Sequence, residues 1–238
     1  MNTTPVIAAA LGGLLAGPLV RTAVWRHTVT GPPRTTCPNC ERGAWWNTNT
    51  PFTGHRHICP VCSSPPPLAP ELLTAGGFAI AASIGGPVLQ TLALCWLAAF
   101  ASALALIDAA VKRLPDELTG PAFGGTTLLL TGAAIQHGRP DTALRLLLAA
   151  AALASAYLIL ALTASIGLGD VKLAPTLGAA LGYISWTDVY LGTAAAFCLG
   201  GLYAAPRIIL GRSQRGSTMP FGPFIILGAF AVLLRIGL

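Results

Sequence analysis

Charge is what this 238-residue sequence has least of: Asp, Glu, Lys and Arg make up 9% of it, against about 25% in soluble globular domains. That scarcity excludes an ordinary water-soluble domain. An alternation of outward apolar and inward polar residues is also lacking, which argues against a transmembrane β-barrel. No positive charge precedes the first apolar run: Met1-Asn2-Thr3-Thr4 carries none, and Arg21 and Arg26 come after the run. That is the reverse of a signal peptide, so an uncleaved first span is expected. No internal repeat is visible. What is present is apolar: 54% of residues are hydrophobic and the mean hydropathy is +0.69. Runs near the roughly 20-residue bilayer length recur along the chain. The fold class is therefore an all-α polytopic membrane protein, and the net charge of +6 bears on topology, not on nucleic acid.

The runs and their punctuation divide the chain. Residues 1–26 hold the first span, Pro5 to Val20. Residues 27–71 change composition, being polar and rich in Pro and Thr, and read as a soluble insert. Residues 72–238 form the membrane core of about seven further spans. Leu72 to Ile107 has no charge and is too long for one span, so Gly85-Gly86-Pro87 is read as a turn that splits it. Leu118–Ile135, Leu146–Ile166, Leu173–Ile184, Val189–Pro206 and Phe221–Leu234 complete a count of about eight. With the amino terminus outside, 11 of the 14 Lys and Arg residues fall on the inner side and three, Arg139, Arg145 and Arg235, on the outer. That bias places the insert in the cytoplasm and both termini outside.

The same alternation puts two carboxylates at one depth. Asp108 ends the third span, and Asp170 opens the sixth after Gly167-Leu168-Gly169. A carboxylate beside some twenty apolar residues marks a functional site by default, and the two glycines let backbone approach it closely. Singly, Asp108 reads as well as a helix-end partner of Lys112, and Asp170 as a helix N-cap. Together they suit acid–base chemistry. Two carboxyl groups in a low-dielectric site share a proton; one takes a proton from water while the other polarises a carbonyl. Asp116 is a weaker candidate, because Pro115-Asp116-Glu117 suits the first turn of a helix. Gly167, Gly169 and Lys172 are expected to support the site.

Four cysteines lie in the insert as Cys37-Pro38-Asn39-Cys40 and Cys59-Pro60-Val61-Cys62. Two Cys-x-x-Cys pairs about 15 to 20 residues apart have the spacing of a four-cysteine zinc site, closed and structural. Disulfides are the alternative, disfavoured by a reducing cytoplasm. The metal is expected to fold the loop without taking part in catalysis, with Trp45-Trp46 packing over it or touching the membrane. Cys95 and Cys198, alone within apolar runs, read as small buried hydrophobes.

Several patches, taken in order, resemble the type IV prepilin peptidases, bacterial Gly-x-Gly-Asp membrane aspartic proteases. Ile107-Asp108 with Leu114-Pro115-Asp116 is similar to the family's first aspartate box, and Gly167-Leu168-Gly169-Asp170-Val171-Lys172-Leu173 to the second. Met219-Pro220-Phe221-Gly222-Pro223-Phe224 looks like its carboxy-terminal segment, and Glu71-Leu72-Leu73 like its Glu-Leu-Leu. The resemblance implies Asp108 and Asp170 as the catalytic pair. It implies cleavage of a short basic leader from a prepilin or pseudopilin precursor, at the cytoplasmic face of the inner membrane. Many members also methylate the new amino terminus with S-adenosylmethionine. Here that match is poorer: Ala16-Gly17-Pro18-Leu19-Val20 lacks the family's Asn, and Pro66-Pro67-Leu68 replaces an Arg-Tyr-Pro. Glu71 and Arg26 are the residues left to carry it. Two rivals stand beside this reading. One is a signal-peptide-peptidase-like protease, against which the absence of a Pro-Ala-Leu segment after Asp170 counts. The other is a proton-coupled transporter subunit.

Overall fold

In a bilayer the backbone must satisfy its own hydrogen bonds, so apolar runs set between glycines, prolines and charges become helices. The computed structural model describes residues 3–28, 68–164, 167–209 and 220–237. Within them the chain forms eight α-helices: α1 (Thr4–His27), α2 (Ala69–Ser83), α3 (Val88–Val111), α4 (Asp116–Gln136), α5 (Pro140–Ala164), α6 (Leu168–Ile184), α7 (Trp186–Ile209) and α8 (Gly222–Gly237). The four paired cysteines, the Trp pair and Met219 lie outside the described residues.

Five helices (α1, α3, α4, α5 and α7) are long and apolar enough to cross a membrane. The others are shorter, with 15 residues in α2, 17 in α6 and 16 in α8. At 1.5 Å per residue these reach roughly 23–26 Å, less than the roughly 30 Å hydrocarbon core. The outward faces carry large apolar side chains, with Leu15, Leu128, Leu162 and Leu202 each more than 70% exposed. A surface of this kind suits lipid and not water. Cys198 belongs to that surface: it is exposed, not buried as expected, while Cys95 is half-buried. An apolar residue on a membrane helix can face lipid as readily as the core.

The core is built on α3 and α6. Leu97, Leu104 and Ile107 of α3 and Leu173, Leu177 and Leu181 of α6 are all at most 2% exposed. All but Ile107 cluster with Leu130 of α4, Leu146 of α5 and Leu233 of α8; Ile107 packs instead with Val20 and Val24 of α1. The split at Gly85-Gly86-Pro87 is where the sequence places it, with both glycines in the left-handed region (φ +68 and +117). Several boundaries differ from expectation; α3 runs on to Val111, and α6 begins at Leu168, ahead of the expected Leu173. α1 runs on past Val20, because Arg21 is not a stop: it is buried and paired within the bundle. α5 begins at Pro140, with proline in the first turn where its missing N–H costs nothing.

The helix ends sort into two sets. The carboxy-terminal ends of α1 and α3 lie with the amino-terminal ends of α2, α4, α6 and α8. At the opposite end, the three arginines that break the charge bias are all engaged. Arg145 donates to the carbonyls of Gly182 (2.7 Å), Tyr183 (2.8 Å) and Ile184 (2.8 Å), closing the carboxy terminus of α6. Arg139 donates to the Tyr183 hydroxyl at 3.0 Å. Arg235 pairs with the buried Asp188 at 2.7 Å.

Candidate active site

Asp108 stands in the last turn of α3 and is 6% exposed. Lys112 ends that helix in the left-handed conformation (φ 52). The turn then runs to Pro115, whose extended backbone starts α4. Leu114, within this turn, is buried. It packs on Gly169, where a β-carbon would come within 3.1 Å of the Leu114 side chain. The second glycine of Gly-x-Gly-Asp thus gives the first aspartate box its seat. The first glycine, Gly167, is the N-cap of α6, so Asp170 is not a cap. Asp170 is the third helical residue and is 5% exposed.

The two carboxylates, 62 positions apart in sequence, are close enough to act on each other electrostatically. A third segment completes the site. The backbone N–H of Gly222 donates to Asp108 Oδ2 at 3.1 Å. Gly222 is the first residue of α8, where helix N–H groups have no partner within the helix and the macrodipole favours negative charge. A β-carbon at Gly222 would lie 2.8 Å from that same carboxylate oxygen, so the approach requires glycine. Lys172 forms an ion pair with Asp116, tying the start of α6 to the start of α4. Both side chains are largely exposed, which gives Asp116 a bracing position outside the buried pair.

Beside Asp108 a groove of about 400 Å³ runs between α2, α3 and α8, lined among others by Leu72, Leu73, Ala105, Ala109, Pro223 and Leu227. Leu72, Leu73 and Leu227 are exposed, so the groove opens sideways toward lipid. It adjoins the site through Ala109 and Pro223, neighbours in sequence of Asp108 and Gly222.

Glu71 and Arg26 are not brought together. Glu71 is 1% exposed, and both its oxygens are taken by Arg21, with Nε at 2.8 Å and Nη2 at 2.6 Å. Gly17 makes room: a β-carbon there would meet the Glu71 backbone and side chain at 2.6 Å. Arg26 is exposed, one turn further along. It lines a cleft of about 300 Å³ with Thr22, His27 and Glu117, where His27 Nε2 lies 3.7 Å from Glu117 Oε2. Among the described residues no three His, Cys, Asp or Glu side chains cluster as a metal ion would need, and the four paired cysteines lie outside them. Two residues of this end carry no role in the sequence reading. Arg21 figures there only as a topology charge, and Gly222 only as part of a Pro-Phe-Gly-Pro-Phe segment.

Comparison with known proteins gives a consistent picture. A family model described as the type IV leader peptidase family matches residues 95–205, a stretch containing both aspartates. The prepilin leader peptidase/N-methyltransferase of Burkholderia pseudomallei (strain K96243) is 32% identical over 215 residues, covering 84% of this chain and 67% of that protein. The protein of the same name from Aeromonas hydrophila is 30% identical, covering 85% of this chain and 71% of its own. A type 4 prepilin-like proteins leader peptide-processing enzyme from Escherichia coli O78:H11 is 28% identical, covering 95% and 93%. No solved structure matches the chain at a significant level.

Proposed function

Because the chain belongs to the type IV leader peptidase family, we propose that it is a membrane aspartic endopeptidase that removes the leader from prepilin-like precursors, with Asp108 and Asp170 as its catalytic pair. The observation that carries this reading is one of convergence. Two buried carboxylates arrive on different helices, and the amino terminus of a third helix donates to one of them. The residues do the work directly. One carboxylate takes a proton from a water molecule. That water attacks the scissile carbonyl, and the other carboxyl donates a proton to the carbonyl oxygen. The tetrahedral adduct then collapses, the peptide nitrogen leaving with a proton returned from the pair. No covalent enzyme intermediate forms.

We assign the site to the cytoplasmic face of the inner membrane. Support comes from the charge bias: Arg21, Arg26, Lys112, Arg113 and Lys172 lie at the aspartate end. Eight crossings then follow if α2, α6 and α8 also span. A short basic leader would reach the pair from that side, with its apolar stem in the bilayer.

The four cysteines are proposed to hold a structural zinc that folds the loop between α1 and α2. Metal analysis of the purified protein checks this: about one zinc per chain is expected, lost in Cys37→Ser and Cys59→Ser. A metal-free wild type would remove the claim. S-adenosylmethionine is a different case. The names of the Burkholderia and Aeromonas relatives include N-methyltransferase, but Glu71 is buried and paired through both oxygens with Arg21. No methyl-transfer step is assigned to it.

The test of the proposed function is leader removal from a co-expressed prepilin. Asp108→Ala and Asp170→Ala should each abolish it while the protein still accumulates in the membrane. Processing by both variants would sink the reading. A signal-peptide-peptidase-like activity would show instead as cleavage within a helical substrate, and a transporter as aspartate-dependent proton uptake without cleavage.

A further inference from the structure

Tyr157 on α5 is the largest side chain sealed in the core, 1% exposed, and its hydroxyl has no hydrogen-bond partner among the described residues. Two nearby hydroxyls of its helix are satisfied locally. Ser155 donates to the Ala151 carbonyl at 2.8 Å and Thr163 to the Ile159 carbonyl at 2.7 Å. A few buried threonines, Thr126, Thr127 and Thr176, are also unpaired. Each can turn its hydroxyl onto a carbonyl of its own helix by a change of rotamer. A tyrosine hydroxyl stands too far from its own backbone to do so. A buried hydroxyl without a partner is costly, so its presence at this depth in the core calls for a use.

The helix register says where that hydroxyl is. α5 and α6 run antiparallel in close contact. At Gly178 a β-carbon would meet the Ala149 carbonyl at 2.7 Å, and at Gly182 it would meet Leu146 at 3.2 Å. Asp170 precedes Gly178 by eight residues and Tyr157 follows Ala149 by eight. The same antiparallel step therefore sets Tyr157 opposite Asp170, and the hydroxyl is within electrostatic reach of that carboxylate. The ring is held from the other side. It stacks on Phe197 of α7 at 6.1 Å and 28°. Phe197 in turn tilts against Phe221 at 5.2 Å, the residue preceding the Gly222 that donates to Asp108. An aromatic row thus spans from the Asp170 side of the pair to the Asp108 side.

We propose that Tyr157 is a positioning residue for leader cleavage: in the substrate complex its hydroxyl donates, directly or through one water, to the Asp170 carboxylate and holds it in the rotamer that faces Asp108. Hydrogen bonds of this kind are often long in a free enzyme and tighten when substrate binds. The inference rests on the two-aspartate reading given above.

The experiment uses the full-length protein purified in detergent and a prepilin substrate. Tyr157→Phe keeps the ring and its stacking and removes only the oxygen. A hydrogen bond to a charged group sets the scale: kcat should fall about 10- to 100-fold, with KM within about twofold of the wild type. The melting temperature should stay level or rise, because a buried unpaired hydroxyl is gone. A residue with only a packing role would leave kcat unchanged in Tyr157→Phe, and that result would overturn the proposal. So would a loss of kcat matched by a loss of melting temperature. A wild-type protein that cleaves nothing would count against the two-aspartate reading itself, which separates the two failures.

Discussion

Gly222 puts the demands of the site on a single backbone atom. Its N–H donates to Asp108, and the space of its missing side chain is the space of that carboxylate. Gly222→Ala should therefore displace Asp108 without disturbing the rest of α8. At least a tenfold loss in the rate of leader cleavage is expected, on the scale of a hydrogen bond to a charged group, with the membrane-inserted protein still folded. A wild-type rate in that variant would mean that Asp108 does not depend on α8. At this scale the carboxylates were legible in the sequence and their partners were not. An acid after a long uncharged run is conspicuous because of its cost in lipid. A backbone N–H 114 positions away from Asp108 leaves no such mark. Asp116 stands between these cases: its place in a first turn of α4 was readable, its ion pair with Lys172 was not.

At the scale of helices, apolar runs and turn residues located every element among the described residues, but not how the elements touch. α1 and α2 are locked by the buried Arg21–Glu71 pair, with Gly13 and Gly17 letting the two backbones close on each other. Gly-x-x-x-Gly is a known signal of close helix packing in membranes, so part of this contact was readable. The choice of Arg21 over Arg26 was not, because both follow the same run and only the register of α1 on α2 separates them. Removing one partner strands a buried charge, which costs about 3–5 kcal/mol. Glu71→Ala should be destabilised by that order in a reversible unfolding titration in detergent. The paired replacement Arg21→Met with Glu71→Leu should recover most of it. If the single variant is as stable as the wild type, the pair is not what holds α1 to the bundle.

For the whole molecule, the charge pattern and the structure agree on which helix ends belong together. They also explain the exceptions to the bias. Arg139, Arg145 and Arg235 sit at the far end because each is bonded there, to α6 or to Asp188. The orientation predicts the outcome of reporter fusions. Alkaline phosphatase, active only outside the cytoplasm, should be active when fused at Gly138 and inactive when fused at Arg113. The reverse pattern would turn the site to the wrong side of the membrane.

In the proposed mechanism one pair of carboxylates performs the cleavage. The most direct measurement is the rate of leader release by the purified protein, in the wild type and in Asp108→Asn, Asp170→Asn and Asp116→Asn. These substitutions keep size and remove charge. Cleavage is expected from the wild type, none detectable from either of the first two, and a rate within about tenfold of the wild type from Asp116→Asn, since an exposed ion pair contributes at most about 1 kcal/mol. Leader release at the wild-type rate by Asp108→Asn or by Asp170→Asn would contradict that mechanism.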